Sequence, residues 1–240
     1  MDSRGPEPYT RVLPSAALSL FGAAIVVFAN LYAPQPLLPI FRQTFHQSEP
    51  AVSLIISVAV LGIAVGSILA GPLSDRIGRK NVMTASTFLL AFPTVGAACA
   101  HSLFWFLVAR ALTGLLIPGV IAVVIAYVSE EYQRPATSLL MGLYVSSTVA
   151  GGLVGRLAAG VMTAVWGWRT AFFVIGGAAI VASAVLKLWL PPSRRFHPRS
   201  SWFTAIVGLK RSFADPALVS LGFLGFTYFF AFISSFTYES

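Results

Sequence analysis

Four charged side chains stand close together in the stretch GPLSDRIGRK, residues 71–80, after more than twenty residues that carry no charge. Asp75 could accept hydrogen bonds from the free amides of a helix N-terminus, or it could pair with an arginine. Arg76, Arg79 and Lys80 could bind lipid phosphates or the carbonyls at a helix C-terminus. A basic signal that fixes membrane topology would use the same three cations, but it does not require Asp75.

Arg110 and Arg156 are isolated cations within long apolar runs. Each falls roughly 10 Å inside a predicted membrane helix, and no acidic residue lies within any predicted span. A charge at that depth is costly, so such residues usually face a wet cavity or a partner. We expect a cavity-facing role for both, which favours an anionic group on a substrate or an acid elsewhere in the protein. Snorkelling and bonding to backbone carbonyls are the alternatives.

Four further polar residues could orient a small ligand: Asn30, Tyr32, Gln35 and Tyr144. Hydrogen bonds inside a helix bundle, or interfacial positions for the tyrosines, are the simpler explanations. The sequence has no cluster with metal-site spacing, no phosphate-binding loop and no Ser/His/Asp arrangement that would indicate catalysis. We therefore expect no enzyme activity, no metal and no cofactor.

The elements that position these residues are predicted to be membrane helices. The chain is 57% hydrophobic and 10% charged, and its mean hydropathy is +0.81. A helix needs about 20 apolar residues to cross a bilayer core. The apolar runs predict an all-α membrane protein with seven helices, at residues 13–33, 51–73, 82–100, 103–128, 136–162, 169–190 and 216–238. Three prolines, Pro34, Pro36 and Pro39, indicate a kink or a break after the first helix.

The distribution of basic residues predicts the orientation and the domains. With a cytoplasmic N-terminus, residues 1–12, nearly all Lys and Arg side chains outside the spans lie on the cytoplasmic side, against only Arg42 and Arg169 on the other. Residues 13–190 form the six-helix part, and a basic linker at 191–215 leads to a seventh helix at 216–240. The net charge of +8 lies between apolar spans rather than on one exposed face, so we expect a lipid bilayer and no nucleic acid as partner.

An internal repeat divides the first six helices into two units. Gly71, Gly78 and Lys80 have the same spacing as the second set, Gly160, Gly167 and Arg169. Three helices per unit would invert the second copy, as in the halves of secondary transporters. Small residues at helical spacing are expected to let helices pack closely, at Gly62, Gly66, Gly151, Gly155 and Gly160.

The pattern Gly71-x-Leu73-x-Asp75-Arg76-x-Gly78-Arg79-Lys80 resembles the signature loop of the major facilitator superfamily. Arg110-x-x-x-Gly114 resembles the second motif of that family, whose arginine is implicated in proton coupling. The segment GLVGRLAAG, residues 152–160 following Gly151, is similar to the motif of the drug:proton antiporter branches, with Arg156 where those branches have proline.

This resemblance implies a six-helix half bundle built from a 3+3 inverted repeat, followed by a linker and one further transmembrane helix. It implies a bacterial inner-membrane carrier that moves a small solute by alternating access, through proton-coupled efflux. In the family, the signature loop joins the cytoplasmic ends of two halves, which gives Asp75 a gating role. The alternatives are a truncated remnant that does not transport and a proton-coupled uptake carrier.

Overall fold

The computed structural model describes residues 9–193, together with residues 216, 220, 223–225 and 227. The chain divides into two units, residues 1–198 and 199–240. The residues described in the second unit are helical. Most of the predicted linker and most of the predicted seventh helix lie outside the described residues, so both stay predictions.

The described part of the first unit is mostly helical, and it contains six helical segments long and apolar enough to cross a membrane. The all-α membrane fold is therefore confirmed. In chain order the helices are α1 (Pro14–Tyr32), a 3-10 turn (Gln35–Leu37), α2 (Leu38–Phe45), α3 (Glu49–Ile77), α4 (Arg79–Ala98), α5 (Leu103–Leu116), α6 (Pro118–Glu131), α7 (Arg134–Trp166) and α8 (Trp168–Trp189). The first span comprises α1 to α2, and the fourth span comprises α5 and α6.

The prolines after α1 interrupt the helix without ending the span. Pro36 lies in the first turn of the 3-10 segment, and Pro39 lies in the first turn of α2. Proline is tolerated there because the first amides of a helix have no intrahelical acceptor. The chain consequently returns to helix and continues to Phe45, twelve residues beyond the boundary at 33 that the sequence predicted.

Two glycines of the internal repeat adopt the same backbone conformation at equivalent turns. Gly78 has φ of +101° and Gly167 has φ of +85°, a region that residues with a Cβ rarely occupy. Each ends a long helix, and the next helix begins at the following residue. The repeat seen in the sequence is therefore a repeat of structure.

Helix packing in the first unit follows the same repeat. The most extensive contacts pair α1 with α7, α3 with α5, and α4 with α8. The repeat relates the first span to the fourth, α3 to α7, and α4 to α8. It therefore exchanges the first two pairs with each other and maps the third pair onto itself.

The glycines of α3 and α7 allow these pairs to approach closely. A Cβ at Gly62 would lie 2.6 Å from the Ala111 carbonyl oxygen of α5, and one at Gly151 would lie 2.7 Å from the Ile25 carbonyl oxygen of α1. Gly66 and Gly155 lie equally close to the same two partner helices. The packing role predicted for Gly160 is wrong for the described part of the chain, because a Cβ there would meet no atom within 4 Å.

An aromatic cluster fills the end of the bundle where α2 meets α8. The rings of Phe41 and Trp168 are 5.2 Å apart between centroids, and those of Phe41 and Phe106 are 4.8 Å apart. Phe45 and Phe172 also contact Trp168. Trp168 follows Gly167 directly, so it occupies the position that Arg79 occupies in the first copy of the repeat.

The glycine contacts predict unequal effects of the same substitution at two positions of α7. Gly155→Ala should lower the melting temperature of the purified chain in detergent, because the new Cβ would lie 2.5 Å from the Ala29 carbonyl oxygen. Overpacking of this kind costs about 1–3 kcal/mol. Gly160→Ala is the control and should be neutral or slightly stabilising. Circular dichroism measures the thermal unfolding of both variants. Equal melting temperatures for Gly155→Ala and Gly160→Ala would contradict the close contact of α7 with α1.

Candidate functional site

Arg79 is the centre of a charged cluster at the turn between α3 and α4. Its Nε and Nη2 donate to the two carboxylate oxygens of Glu130, over 3.2 and 2.8 Å. Nη2 also lies 2.5 Å from Asp75 Oδ1, and Nη1 donates to Ser74 Oγ. The Arg79 side chain is only 12% exposed. Two-pronged arginine–carboxylate contacts are strong and directional, so this cluster ties the turn to the end of α6.

Among the remaining residues of the signature loop, Lys80 makes one more contact between helices, and two others are exposed. Lys80 donates from Nζ to the Leu190 carbonyl oxygen at the end of α8. Cations suit this position because the last carbonyls of a helix have no intrahelical donor. Leu73 and Arg76 are exposed, and a Cβ at Gly71 would meet nothing within 4 Å.

Glu130 was not identified from the sequence as a site residue. A signal was present, because Glu130 and Glu131 are the only two adjacent acidic residues in the sequence and follow the predicted fourth helix, 103–128, on the side of residues 71–80. Topology counts weigh basic residues and give acidic residues little weight. Pairing of opposite charges across the same end of the bundle would have found Glu130.

Arg110 lies inside the bundle and bonds to the end of α1. Its side chain is 1% exposed. Nη1 donates to the backbone oxygen and to Oδ1 of Asn30, both over 3.2 Å, and Nη2 donates to the Leu31 carbonyl oxygen over 3.2 Å. The expected cavity-facing position is therefore wrong for this conformation, and carbonyl bonding, the alternative, is observed.

One backbone acceptor of Arg110, the Asn30 carbonyl, is free because of a proline. In a continuous helix the amide of residue 34 would donate to the carbonyl of residue 30, but Pro34 has no N–H. Asn30 is 1% exposed, so its carbonyl would then be buried without a donor, which costs several kcal/mol. The Arg110 guanidinium supplies that donor from α5.

Asn30 extends the contact to a third helix. Its Nδ2 donates to Thr94 Oγ1 on α4, and Thr94 Oγ1 in turn donates to the Leu90 carbonyl oxygen over 2.6 Å. Asn30 and Thr94 are each 1% exposed. The sequence indicated Asn30 and Arg110 separately, but it gave no indication of Thr94, which forms one buried polar network with them.

Arg156 forms a second arginine site at the break after α1. Its Nε donates to Gln35 Oε1 over 2.7 Å, and its guanidinium carbon lies 4.4 Å from the centroid of the Tyr32 ring. The three side chains are half-buried. Gly152 leaves room for the ring, since a Cβ there would lie 3.1 Å from Tyr32 Cδ2. This site is the more accessible of the two, and cation–π contact keeps the guanidinium oriented.

Two other candidate residues lie apart from both arginine sites. Tyr144 donates from its hydroxyl to the Ile121 carbonyl oxygen of α6 over 3.3 Å. Gly114 lies against the Ala59 backbone of α3, where a side chain would clash. Within the described residues, no three His, Cys, Asp or Glu side chains lie together as a metal site requires.

Comparison with known proteins relates the chain to one family. A model described as Major Facilitator Superfamily matches residues 20–240. The inner membrane transport protein YnfM of Escherichia coli is 36% identical over 236 residues, which is 98% of this chain and 56% of YnfM. The chain therefore spans about half the length of this relative.

Solved structures share the fold at low sequence identity. A bacterial homologue of the human lysosomal transporter Spinster, in an inward-facing and unoccupied conformation, matches 85% of this chain and 49% of its own, with a TM-score of 0.71 and 17% identity. The proton:xylose symporter XylE matches 75% of this chain and 45% of its own, with a TM-score of 0.64 and 18% identity.

The buried network predicts unequal effects of two Thr→Val substitutions. Thr94→Val should lower the melting temperature, because it removes a hydrogen bond with Asn30 and leaves buried polar groups unpaired, at a cost of about 1–3 kcal/mol. Thr113→Val is the matched control, since the buried Thr113 Oγ1 has no hydrogen-bond partner among the described residues. Thermal unfolding in detergent measures both. An equal or larger loss for Thr113→Val would contradict the network.

Proposed function

Because the chain belongs to the major facilitator superfamily, we propose that it forms half of a secondary active transporter that moves a small solute across the bacterial inner membrane. The chain is a multi-pass membrane protein of a transporter family, not an enzyme. Solute movement would occur by alternating access, in which the helices of one half rock against those of another. The glycine contacts of α3 with α5 and of α7 with α1 would let helices within this half adjust during such motion, because small residues leave smooth helix surfaces.

The observation that carries the proposal is the broken first span with an arginine on each side. Transporters of this kind bind solutes and coupling ions where helices are discontinuous near the middle of the membrane. Here Pro34 interrupts the span, Arg110 bonds to the freed carbonyl end, and Arg156 holds Gln35 just beyond the break. A movement of the chain at the break would therefore change the contacts of both α5 and α7.

The two arginines have different roles in this proposal. Arg156, half-buried with Tyr32 and Gln35, faces the solute and favours an anionic group. Arg110 is a positioning residue that holds the end of α1. Its Nε is buried and has no hydrogen-bond partner in the described part of the chain. One donor is thus left for an acid or a water molecule that takes part in proton coupling.

The proposed coupling is proton-driven efflux, and proton-coupled uptake is the second candidate. The Arg110-x-x-x-Gly114 motif supports coupling to protons, and the Gly151-to-Gly160 motif favours export. Uptake has support of its own, because XylE, which shares this fold, is a proton:xylose symporter. The third alternative is a remnant that does not transport.

The signature loop is proposed to gate access. Asp75 is 40% exposed although it contacts Arg79, so its carboxylate can exchange this partner for one on a second half. Arg79 would retain its salt bridge with Glu130 when its contact with Asp75 breaks, which lowers the energetic cost of the exchange. Asp75 thereby stabilises one access state, as the family resemblance implies.

Everted membrane vesicles distinguish the three functions. Vesicles from bacteria that express the complete reading frame containing this chain are given an acidic interior, and a pH-sensitive dye reports proton loss. An exporter should release protons when solute is added outside. An uptake symporter should release them only when solute is loaded inside, and a remnant should do neither.

Three variants refine the same assay. Arg156→Gln should raise the half-saturating concentration of an anionic solute about tenfold more than that of its neutral analogue, since a charged hydrogen bond contributes about 1.5–3 kcal/mol. Asp75→Asn should change the transport rate with membrane expression kept. The control is Arg42→Gln, an exposed cation that pairs with Glu49 at the other end of the bundle. Equal effects of Arg156→Gln on the anionic and the neutral solute would exclude the anion-binding role of Arg156.

The orientation with a cytoplasmic N-terminus is testable with the single cysteine. Cys99 is exposed at the end of α4, about 30 Å along that helix from Arg79. A membrane-impermeant maleimide should label Cys99 in intact spheroplasts. With Cys99→Ser combined with Gln133→Cys at the exposed start of α7, labelling should require permeabilised membranes. The reverse pattern would overturn the proposed orientation.

A further inference from the structure

A groove of about 470 Å³ runs between α4 and α8, outside both arginine sites. The two helices are antiparallel here, so the first turn of α4 lies beside the last turn of α8. Lys80, Asn81 and Lys187 line one end of the groove, and Phe88, Ile180 and Ala184 line its deeper part. The groove therefore has a polar, cationic mouth and an apolar floor.

The mouth carries positive charge without a neutralising acid in its lining. Lys187 is exposed, and Lys80 directs Nζ to the Leu190 carbonyl oxygen beside it. None of the lining residues is acidic. The nearby carboxylates of Asp75 and Glu130 both contact Arg79 instead. An anionic group at the mouth would thus meet two ammonium groups and the Asn81 amide.

The deeper part of the groove opens onto an apolar surface. Phe92 is 61% exposed and Val181 is 63% exposed, and the other exposed residues along this face of α4 and α8 are also apolar below the mouth. In a membrane protein such a face contacts hydrocarbon. Phe88 lies eight residues from Lys80, about 12 Å deeper along the helix. That distance places the cations at headgroup depth and Phe88 among acyl chains.

Thr84 adds a polar group between the two regions. It lines the groove one turn deeper than Lys80, and its Oγ1 has no hydrogen-bond partner among the described residues. Ester oxygens of a phospholipid lie at the corresponding depth, just below the phosphate. The groups along the groove are therefore cationic, hydroxyl and apolar in that order, which complements the phosphate, ester and acyl groups of an anionic lipid.

We propose that this groove binds one anionic phospholipid, with its phosphate between Lys80 and Lys187 and one acyl chain against Phe88 and Ile180. Basic pockets between transmembrane helices are suited to such headgroups. The bound lipid would bridge the start of α4 and the end of α8, adding to the direct contact of Lys80 with Leu190. This site is independent of the proposed transport function.

Lipid titrations of the purified chain in neutral detergent test the proposal, with native mass spectrometry as the readout. Phosphatidylglycerol should bind at least tenfold more tightly than phosphatidylcholine with the same acyl chains. Lys187→Gln should weaken phosphatidylglycerol binding about fivefold, the effect of one basic residue near an anionic headgroup. Lys187 is exposed, so this variant leaves the packing of the bundle intact.

Two more variants and a lipid-free anion separate the sources of the signal. Ala184→Leu fills the apolar part and should weaken phosphatidylglycerol binding without changing the response to inorganic phosphate. Arg42→Gln, an exposed cation at the other end, should leave the affinity unchanged. The proposal fails if both lipids bind equally, if Arg42→Gln matches Lys187→Gln, or if inorganic phosphate binds as tightly as the lipid.

Discussion

A carbonyl freed by proline inside a membrane must find another donor, and the rest of this half bundle is arranged around that requirement. Pro34 removes the donor for the Asn30 carbonyl, and Arg110 replaces it from α5. Because Arg110 bonds to the end of α1, α5 has to lie within reach of one arginine side chain from that end. Asn30 then contacts Thr94 of α4, so one missing amide fixes the relative positions of three helices. An arginine that is expensive to bury is retained because its donors cannot be replaced by an apolar side chain.

The inverted repeat explains how the two long helices α3 and α7 pack closely against their partner helices. α3 and α7 contact their partners through glycines, so the partner backbones approach closely. The turn at Gly78 and the turn at Gly167 join helices with no loop between them. Each pair of consecutive helices is therefore joined by one residue, and the two pairs are related by the repeat.

The sequence predicted much of the fold and a smaller part of the site, for reasons that individual residues make clear. Long uncharged runs define membrane helices, because the bilayer sets their length. The continuation through α2 could not be predicted, since Pro39 reads as a breaker although it is tolerated in a first turn. Arg110 and Arg156 were identified because a charge within a membrane span is energetically costly. The direction of each side chain, however, depends on neighbours far away in the chain. Thr94 and Glu130 were missed for the same reason.

The exchange of Arg79 for Trp168 between the two copies of the repeat makes the two ends of the bundle sensitive to different conditions. At one end an arginine binds two carboxylates, and that attraction weakens as salt is added. At the other end tryptophan packs among phenylalanines, and that contact is insensitive to salt and weakens on cooling. The Arg79 contacts thus respond to ionic strength, and the Trp168 contacts respond to temperature. The backbone repeat is the same at both turns, so the difference between the two turns comes from the side chains that follow Gly78 and Gly167.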